Sequence, residues 1–209
     1  MSLFPIAYFP PISWFAAASQ NASIELEVCQ HFKKQQYTNR MWIKGANGDM
    51  KLSIPVERRG ARMPIRDKKI SYAEKWQQQH WKSWVSAYRN SPYFEYYEDS
   101  FRPLFEKRYS FLQDLLLDSI ELCTQQLKVE IRVEVNKVYR PAAALSGAQD
   151  WRRDFDPSRK QWPAWYTSHP YPQVFEGFSP DLSIIDLLFN EGQASAQVLR
   201  QSYQDGKTP

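Results

Sequence analysis

Residues 73–90 have the sequence AEKWQQQHWKSWVSAYRN, which is the clearest helical pattern in the chain. At 100° per residue, the aromatic and small side chains fall on one face, and the lysine, glutamine and serine side chains fall on the other. The first face consists of Ala73, Trp76, His80, Trp84, Ala87 and Tyr88. Pro92 disfavours continuation of the helix beyond Asn90 and Ser91. The pattern therefore predicts an amphipathic helix whose aromatic face packs on a core.

The segments on both sides of this helix predict a mixture of strands and helices. Residues 39–56 predict a hairpin, because two strand-like runs flank the turn signal Asn47-Gly48. Short runs with apolar alternation or continuous apolar character predict further strands at 4–9, 23–29 and 129–135. Additional helices are predicted after Pro10-Pro11 and at 93–107, 109–127 and 180–191.

These elements predict an α+β protein with a mixed or antiparallel sheet flanked by helices. With 209 residues, one domain is expected to span residues 1–201, followed by a frayed tail at 202–209. Residues 140–180 contain six prolines and eight aromatic residues without any period. This composition predicts a long irregular arm that packs on the body of the protein or covers a site.

Composition and charge argue against several classes of protein. No apolar run approaches the roughly 18 residues of a membrane-spanning helix, so no membrane span is expected. The two cysteines and three histidines have no zinc-site spacing, and neither a metal nor a cofactor is predicted. The N-terminal segment lacks the charged start of a signal peptide, so a reducing, cytoplasmic location is expected. A net charge of +4 does not indicate a nucleic-acid partner.

Asp186 and His80 are polar residues on otherwise apolar helical faces. Asp186 lies in the sequence IIDLLF, and Asn190 follows four residues later on the same face. Such an aspartate is either a buried structural residue that accepts hydrogen bonds or a residue that faces a cavity. His80, between Trp76 and Trp84, is either a satisfied core histidine or a general acid/base in an aromatic pocket.

The basic residues near the hairpin also allow two interpretations. Arg40 follows Asn39 at the start of the hairpin and either clamps a carboxylate or phosphate or forms a surface salt bridge. The basic run at 58–69 is interpreted as a solvated loop in preference to an anion-binding segment, because Glu57 and Asp67 interrupt the positive charge.

A cysteine–histidine nucleophile is a weak alternative. Cys29 and His31 would point to the same side of a strand, but the pattern supplies neither a third orienting group nor an oxyanion hole. An inert, half-buried cysteine is the preferred interpretation.

Six segments in a fixed order resemble the WbqC-like family of bacterial proteins. They are AYFPPISWF (7–15), CQHFKKQQYTNR (29–40), LSIPV (52–56), W-x3-H-W (76–81), YRNSPYFEYYEDS (88–100) and SPDLSIIDLLFNEG (179–192). The resemblance implies a link to surface-polysaccharide synthesis and a group-transfer reaction that moves an acyl or aminoacyl group, such as glycyl, to an amino sugar. The recurring polar positions of the family match here as Lys34, Asn39, Arg40, His80, Tyr88, Asp186 and Asn190.

The leading hypothesis is therefore a group-transfer enzyme acting on a small-molecule substrate. In this hypothesis His80 takes the proton from the attacking amine, and Asp186 orients His80 or holds the amine. The expected substrate-binding residues are Tyr8, Lys34, Asn39, Arg40, Tyr88 and Asn190. The alternative is a non-catalytic protein that binds a sugar nucleotide or an amino compound in the same pocket. The sequence predicts no particular oligomeric state.

Overall fold

The computed structural model describes residues 2–58, 62–145, 149–155, 157 and 162–204. Within these residues the chain forms five strands and seven α-helices. The strands are β1 (Ser2–Pro5), β2 (Ser23–Glu27), β3 (Arg40–Gly45), β4 (Gly48–Ser53) and β5 (Arg132–Val135). The helices are α1 (Ile12–Ala18), α2 (Trp76–Tyr88), α3 (Phe94–Phe101), α4 (Pro103–Glu106), α5 (Leu112–Leu127), α6 (Ile184–Glu191) and α7 (Ser195–Ser202).

The strands belong to two separate sheets. β1, β2 and β5 pair in parallel, with β2 in the centre. β3 and β4 form the antiparallel hairpin, and Gly48 adopts a φ of 111° at the predicted turn, a conformation that glycine tolerates because it has no Cβ. Together with the helices, these parallel and antiparallel pairings confirm the predicted α+β class.

The amphipathic helix α2 forms as predicted. Trp76, His80, Trp84, Ala87 and Tyr88 are all buried, whereas Ala73 precedes the helix and is exposed. The Trp84 ring makes an edge contact with Phe189 of α6, at a centroid distance of 5.5 Å. This aromatic contact joins α2 to α6. The hairpin is held beside α6 by a backbone hydrogen bond, in which the N–H of Ser183 donates to the carbonyl oxygen of Trp42 at 2.8 Å.

Several element boundaries differ from the prediction. β1 ends at Pro5 instead of continuing to residue 9, and Phe9 has a φ of 41° just before Pro10-Pro11. α6 begins at Ile184 because Asp181, with a φ of 52°, keeps the preceding residues out of the helix. α7 has no counterpart in the prediction.

The described part of the 140–180 arm is irregular apart from one short 3-10 turn at Ala142–Ala144. Its buried aromatic residues are Trp151, Phe155, Trp165, Tyr166 and Tyr171. Trp151 stacks on Phe4 of β1 at 5.5 Å. The arm therefore packs on the body of the protein.

At the C-terminus, Tyr203 pairs with Tyr166, and the last five residues of the predicted tail lie outside the described residues. Over the described ranges, no helix is both long enough and apolar enough to cross a bilayer.

Candidate functional site

A cleft of about 580 Å³ opens where the start of β3 meets the segment that follows β4. Its lining residues are Phe32, Lys34, Gln35, Asn39, Arg40, Ile54, Pro55, Val56, Glu57, Arg58 and Lys68. Four of these side chains carry positive charge and only Glu57 carries negative charge. We call this cavity the basic cleft. It brings together three of the predicted substrate-binding residues, Lys34, Asn39 and Arg40.

Two residues that line the basic cleft each have a buried polar atom without a hydrogen-bond partner in the protein. The Asn39 side chain donates from Nδ2 to the carbonyl oxygen of Ile54 at 3.1 Å, but its Oδ1 accepts no hydrogen bond. The Nε of Arg40 is also buried and has no acceptor. Buried polar atoms are normally hydrogen-bonded, and leaving one unsatisfied costs about 1–3 kcal/mol. Both atoms are shielded from solvent, and the described residues contain other unpartnered buried atoms, such as Oγ of Ser53.

Lys68 is nearly buried in the wall of the basic cleft, with 5% of its surface exposed. Its backbone is held by Leu112, whose N–H donates to the Lys68 carbonyl at 2.7 Å. Its ammonium group lies 5.5 Å from the centre of the Phe32 ring. Burial lowers the pKa of Lys68, the nearby charge of Lys34 lowers it further, and Glu57 opposes both effects. The basic run at 58–69 was interpreted as a solvated loop. Arg66 and Asp67 of this run are exposed, but the interpretation is wrong for Lys68, which is buried.

Tyr8 and His80 form a buried pair behind the hairpin. The Tyr8 hydroxyl lies 3.1 Å from Nδ1 of His80, and the imidazole also makes a hydrogen bond to the backbone of Ser53. Burial lowers the pKa of His80 to about 4 despite this second bond, so the ring is neutral at pH 7. His80 is 4% exposed and does not line the basic cleft. Its connection to the cleft is indirect: its hydrogen-bond partner Ser53 is followed in the chain by Ile54, which lines the cleft.

Asp186 lies at the centre of a second buried cluster and is fully shielded from solvent. The Tyr88 hydroxyl donates to its Oδ1 at 2.8 Å. The Tyr171 hydroxyl and the Gln173 amide donate to its Oδ2 at 2.6 Å and 2.9 Å. Burial raises the pKa of Asp186, and these three hydrogen bonds oppose the rise. The carboxyl group therefore ties the arm to α2 and α6.

Asn190 is buried next to this cluster, and its amide donates to the Asp186 carbonyl at 2.7 Å. The predicted site residues thus occupy three places: the basic cleft, the Tyr8–His80 pair and the Asp186 cluster. Asp186 and His80 each have hydrogen-bond partners within the protein.

Sequence reasoning missed further polar residues at these places, among them Lys44, Lys68, Tyr171 and Gln173. Lys44 is 7% exposed and donates to the Ser179 hydroxyl at 2.7 Å. Its charge lowers the pKa of Asp186. Lys44 is a single charged residue within a strand, Lys68 belongs to the basic run that was interpreted as a solvated loop, and the arm residues lie in a stretch without periodicity.

Cys29 does not form a reactive pair with His31. Its thiol donates to the Asn136 carbonyl at 3.5 Å, and burial raises its pKa, which disfavours the nucleophilic thiolate. His31 is exposed. These contacts agree with an inert cysteine.

Comparison with known proteins identifies one family. The family model described as the WbqC-like protein family matches residues 6–154 and 161–198 of the chain. Neither the curated proteins nor the solved structures contain a match to the chain. The family match includes the three places at which the predicted site residues lie.

Proposed function

The chain belongs to the WbqC-like protein family, and from this premise we propose that its basic cleft binds a small anionic ligand. The observation that carries the proposal is that the cationic residues Lys34, Arg40 and Lys68 line one cavity, in which Glu57 is the one acidic residue among the described residues of the lining. A guanidinium group binds carboxylate and phosphate oxygens with charge-assisted hydrogen bonds. An anion between these groups would reduce the repulsion between the two lysines.

We further propose that the ligand is the activated donor of a group-transfer reaction. The donor supplies an acyl or aminoacyl group, such as glycyl, and the acceptor is the amine of an amino sugar in surface-polysaccharide synthesis. The amine nitrogen forms a C–N bond with the acyl carbon, and the bond from that carbon to the anionic leaving group breaks. The basic cleft would stabilise the negative charge of the leaving group.

The proton released by the amine needs an acceptor within reach of the reacting atoms. Glu57 is the carboxylate that lines the basic cleft, and we propose it for this role. His80 is less suitable because it does not line the cleft and is buried behind the hairpin. We propose that His80 and Tyr8 instead support the hairpin from behind, and that Tyr88, Asp186 and Asn190 hold the arm in place.

A non-catalytic binding protein for a sugar nucleotide or an amino compound is the second candidate. It is favoured by the enclosure of both His80 and Asp186 among protein partners. The two candidates differ in turnover. Incubation with acetyl phosphate and glucosamine 1-phosphate, followed by mass spectrometry, detects an N-acylated sugar for the enzyme and unchanged reactants for the binding protein.

Replacing Arg40 with alanine is expected to weaken the binding of inorganic pyrophosphate by about tenfold or more, because a charge-assisted hydrogen bond contributes about 1.5–3 kcal/mol. Isothermal titration calorimetry at fixed ionic strength measures the change. Arg200→Ala is the matched control, since Arg200 is exposed on α7 and does not line the cleft. Equal affinities of the Arg40→Ala variant and the native protein would show that the anion binds elsewhere or not at all.

Replacing His80 with glutamine tests its proposed supporting role. We expect pyrophosphate affinity within about twofold of native and an unfolding free energy lower by about 1–2 kcal/mol, because the hydrogen bonds to Tyr8 and Ser53 are disturbed. Calorimetry and urea denaturation provide the two measurements. Complete loss of acyl transfer with unchanged stability would instead restore His80 as the general base.

A further inference from the structure

A cavity of about 350 Å³, other than the basic cleft, lies where strands β1 and β2 end. Its lining includes Pro5 and Ile6 at the end of β1, and Gln30 and His31 shortly after β2. We call it the strand-end cavity. Because β1 and β2 are parallel, their carboxyl ends lie at the same side of the sheet, where open parallel sheets bind their ligands. We infer that this cavity binds a phosphorylated sugar, and the inference does not rest on the ligand proposed for the basic cleft.

The charge of the lining favours a phosphate group. Lys33, Arg152 and Arg153 line the strand-end cavity, and none of its described lining residues is acidic. Glu27 and Asp150 form ion pairs with Arg152 at 3.1 Å and 2.7 Å, but neither carboxylate lines the cavity. A phosphate monoester carries a charge of about −1.5 to −2 at pH 7. Its charge is therefore opposite to that of the lining side chains.

A buried carboxylate holds two parts of the lining in place. Glu27 is fully shielded from solvent, and its Oε1 accepts hydrogen bonds from the backbone N–H groups of Cys29 and Gln30 at 2.8 Å and 3.0 Å. Its Oε2 accepts a hydrogen bond from Nη1 of Arg152 at 3.1 Å. Asp150 accepts two more from the same guanidinium group, at 2.8 Å and 2.7 Å. The Arg152 side chain is 7% exposed. The guanidinium group and the start of the loop after β2 are thus positioned before a ligand binds, which lowers the entropic cost of binding.

The rest of the lining favours a sugar ring as the group that carries the phosphate. Gln30, Gln36 and Thr38 have amide and hydroxyl groups that together donate and accept hydrogen bonds, as sugar hydroxyls also do. Tyr37 and Phe155 add ring surface for the apolar faces of a sugar. A volume of about 350 Å³ is near the lower end of the range of small-molecule sites, about 300–1,000 Å³. This size favours one phosphorylated ring over a nucleotide.

The loop between β2 and β3 contributes to both cavities, which provides a matched pair of lysines. Lys33 lines the strand-end cavity, whereas Lys34 lines the basic cleft. Both residues are exposed, so reversal of either charge is expected to leave the fold intact. The two charge reversals therefore report on different cavities.

Isothermal titration calorimetry with glucose 1-phosphate tests the inference. At an ionic strength of about 0.15 M, charges more than about 8 Å away are largely screened. Lys33→Glu is expected to weaken binding about tenfold, because it replaces an attraction by a repulsion. Lys34→Glu is expected to have a smaller effect. Lys51→Glu is the control, since Lys51 is exposed on β4 and lines neither cavity, and its affinity is expected to stay within about twofold of native.

Three further probes, measured on the native protein, test the chemical class of the ligand. Glucose 1-phosphate is expected to bind about tenfold more tightly than either glucose or inorganic phosphate, because each of these lacks one of the two parts that the lining recognises. Equal affinity for inorganic phosphate would show that the cavity recognises phosphate alone. Tighter binding of adenosine monophosphate would show that it recognises a nucleotide. Either result overturns the assignment to a sugar.

Failure of this inference is distinguishable from failure of the proposed function. If Lys34→Glu weakens the binding of glucose 1-phosphate and Lys33→Glu does not, the ligand occupies the basic cleft and the inference about the strand-end cavity is wrong. If glucose 1-phosphate does not bind at all, the inference is also wrong. The pyrophosphate titration of the Arg40→Ala variant tests the basic cleft in both cases.

Discussion

Replacing Asp186 with alanine is expected to lower the free energy of unfolding by about 3 to 5 kcal/mol, the range found when one member of a buried charged network is removed. The carboxyl group accepts three hydrogen bonds, from Tyr88, Tyr171 and Gln173, at distances of 2.6 to 2.9 Å. Alanine leaves all three donors without this acceptor, and two of them, the hydroxyls of Tyr88 and Tyr171, belong to buried residues. It also removes the carboxyl group whose pKa is lowered by the charge of the buried Lys44.

Urea denaturation followed by tryptophan fluorescence measures this loss. Asp99→Ala is the matched control, because Asp99 is exposed on α3 and its replacement is expected to change stability by less than about 0.5 kcal/mol. Asp186→Asn keeps one carbonyl acceptor, so its free energy of unfolding is expected to lie between those of Asp186→Ala and Asp99→Ala. A stability close to native for Asp186→Ala would contradict the view that this residue fixes the arm.

The regular elements were predictable because their sequences carry a period or a strong turn signal. The face of α2 was correct from Trp76 to Tyr88, and the Asn47-Gly48 turn was correctly placed. The division of the strands into two sheets depends on long-range pairing, such as Ser2 with Ile24 and Ser23 with Arg132, which no local pattern encodes. The end of β1 depends on the positive φ of Phe9, a conformation unusual for an aromatic residue.

The basic cleft was predictable only in part. Lys34, Asn39 and Arg40 were expected to bind substrate, and they line one cavity. The contribution of Lys68 was not predictable, because its burial depends on the packing of Ile65–Asp67 against α5, far along the chain. The prediction that His80 and Asp186 share one site also relied on chemistry alone. Periodicity indicated that both residues face inward, but it did not indicate which partners surround each of them.

Asp181 is expected to make the free energy of unfolding depend strongly on pH. Its carboxyl group is buried and accepts hydrogen bonds from the Ser13 backbone N–H at 2.6 Å and from the Ser13 hydroxyl at 2.9 Å. A further hydrogen bond connects it with Tyr166 of the arm. The residue thus caps the first turn of α1 from a distant loop. Burial raises its pKa from 3.8 to about 7, and the hydrogen bonds only partly oppose this rise.

The sign of the pH dependence follows from this raised pKa. In the unfolded chain Asp181 ionises near pH 4, whereas in the folded protein it stays protonated until about pH 7. Between these values the folded state holds one more proton, so stability is fully present below pH 4 and falls as the pH rises towards 7. The slope from this group is about 1.4 kcal/mol per pH unit, which gives a total of about 4 kcal/mol.

Asp181→Asn removes the titrating group and keeps an acceptor for Ser13, so it isolates this contribution. We expect the difference in unfolding free energy, variant minus native, to increase from pH 4 to pH 7 and to remain constant above pH 8. Urea denaturation at half-unit pH intervals measures the difference, in which the titration of the other carboxyl groups largely cancels. A difference that stays constant from pH 4 to pH 8 would mean that Asp181 is ionised in the folded protein throughout, with its charge stabilised by Ser13 and Tyr166 more strongly than burial disfavours it.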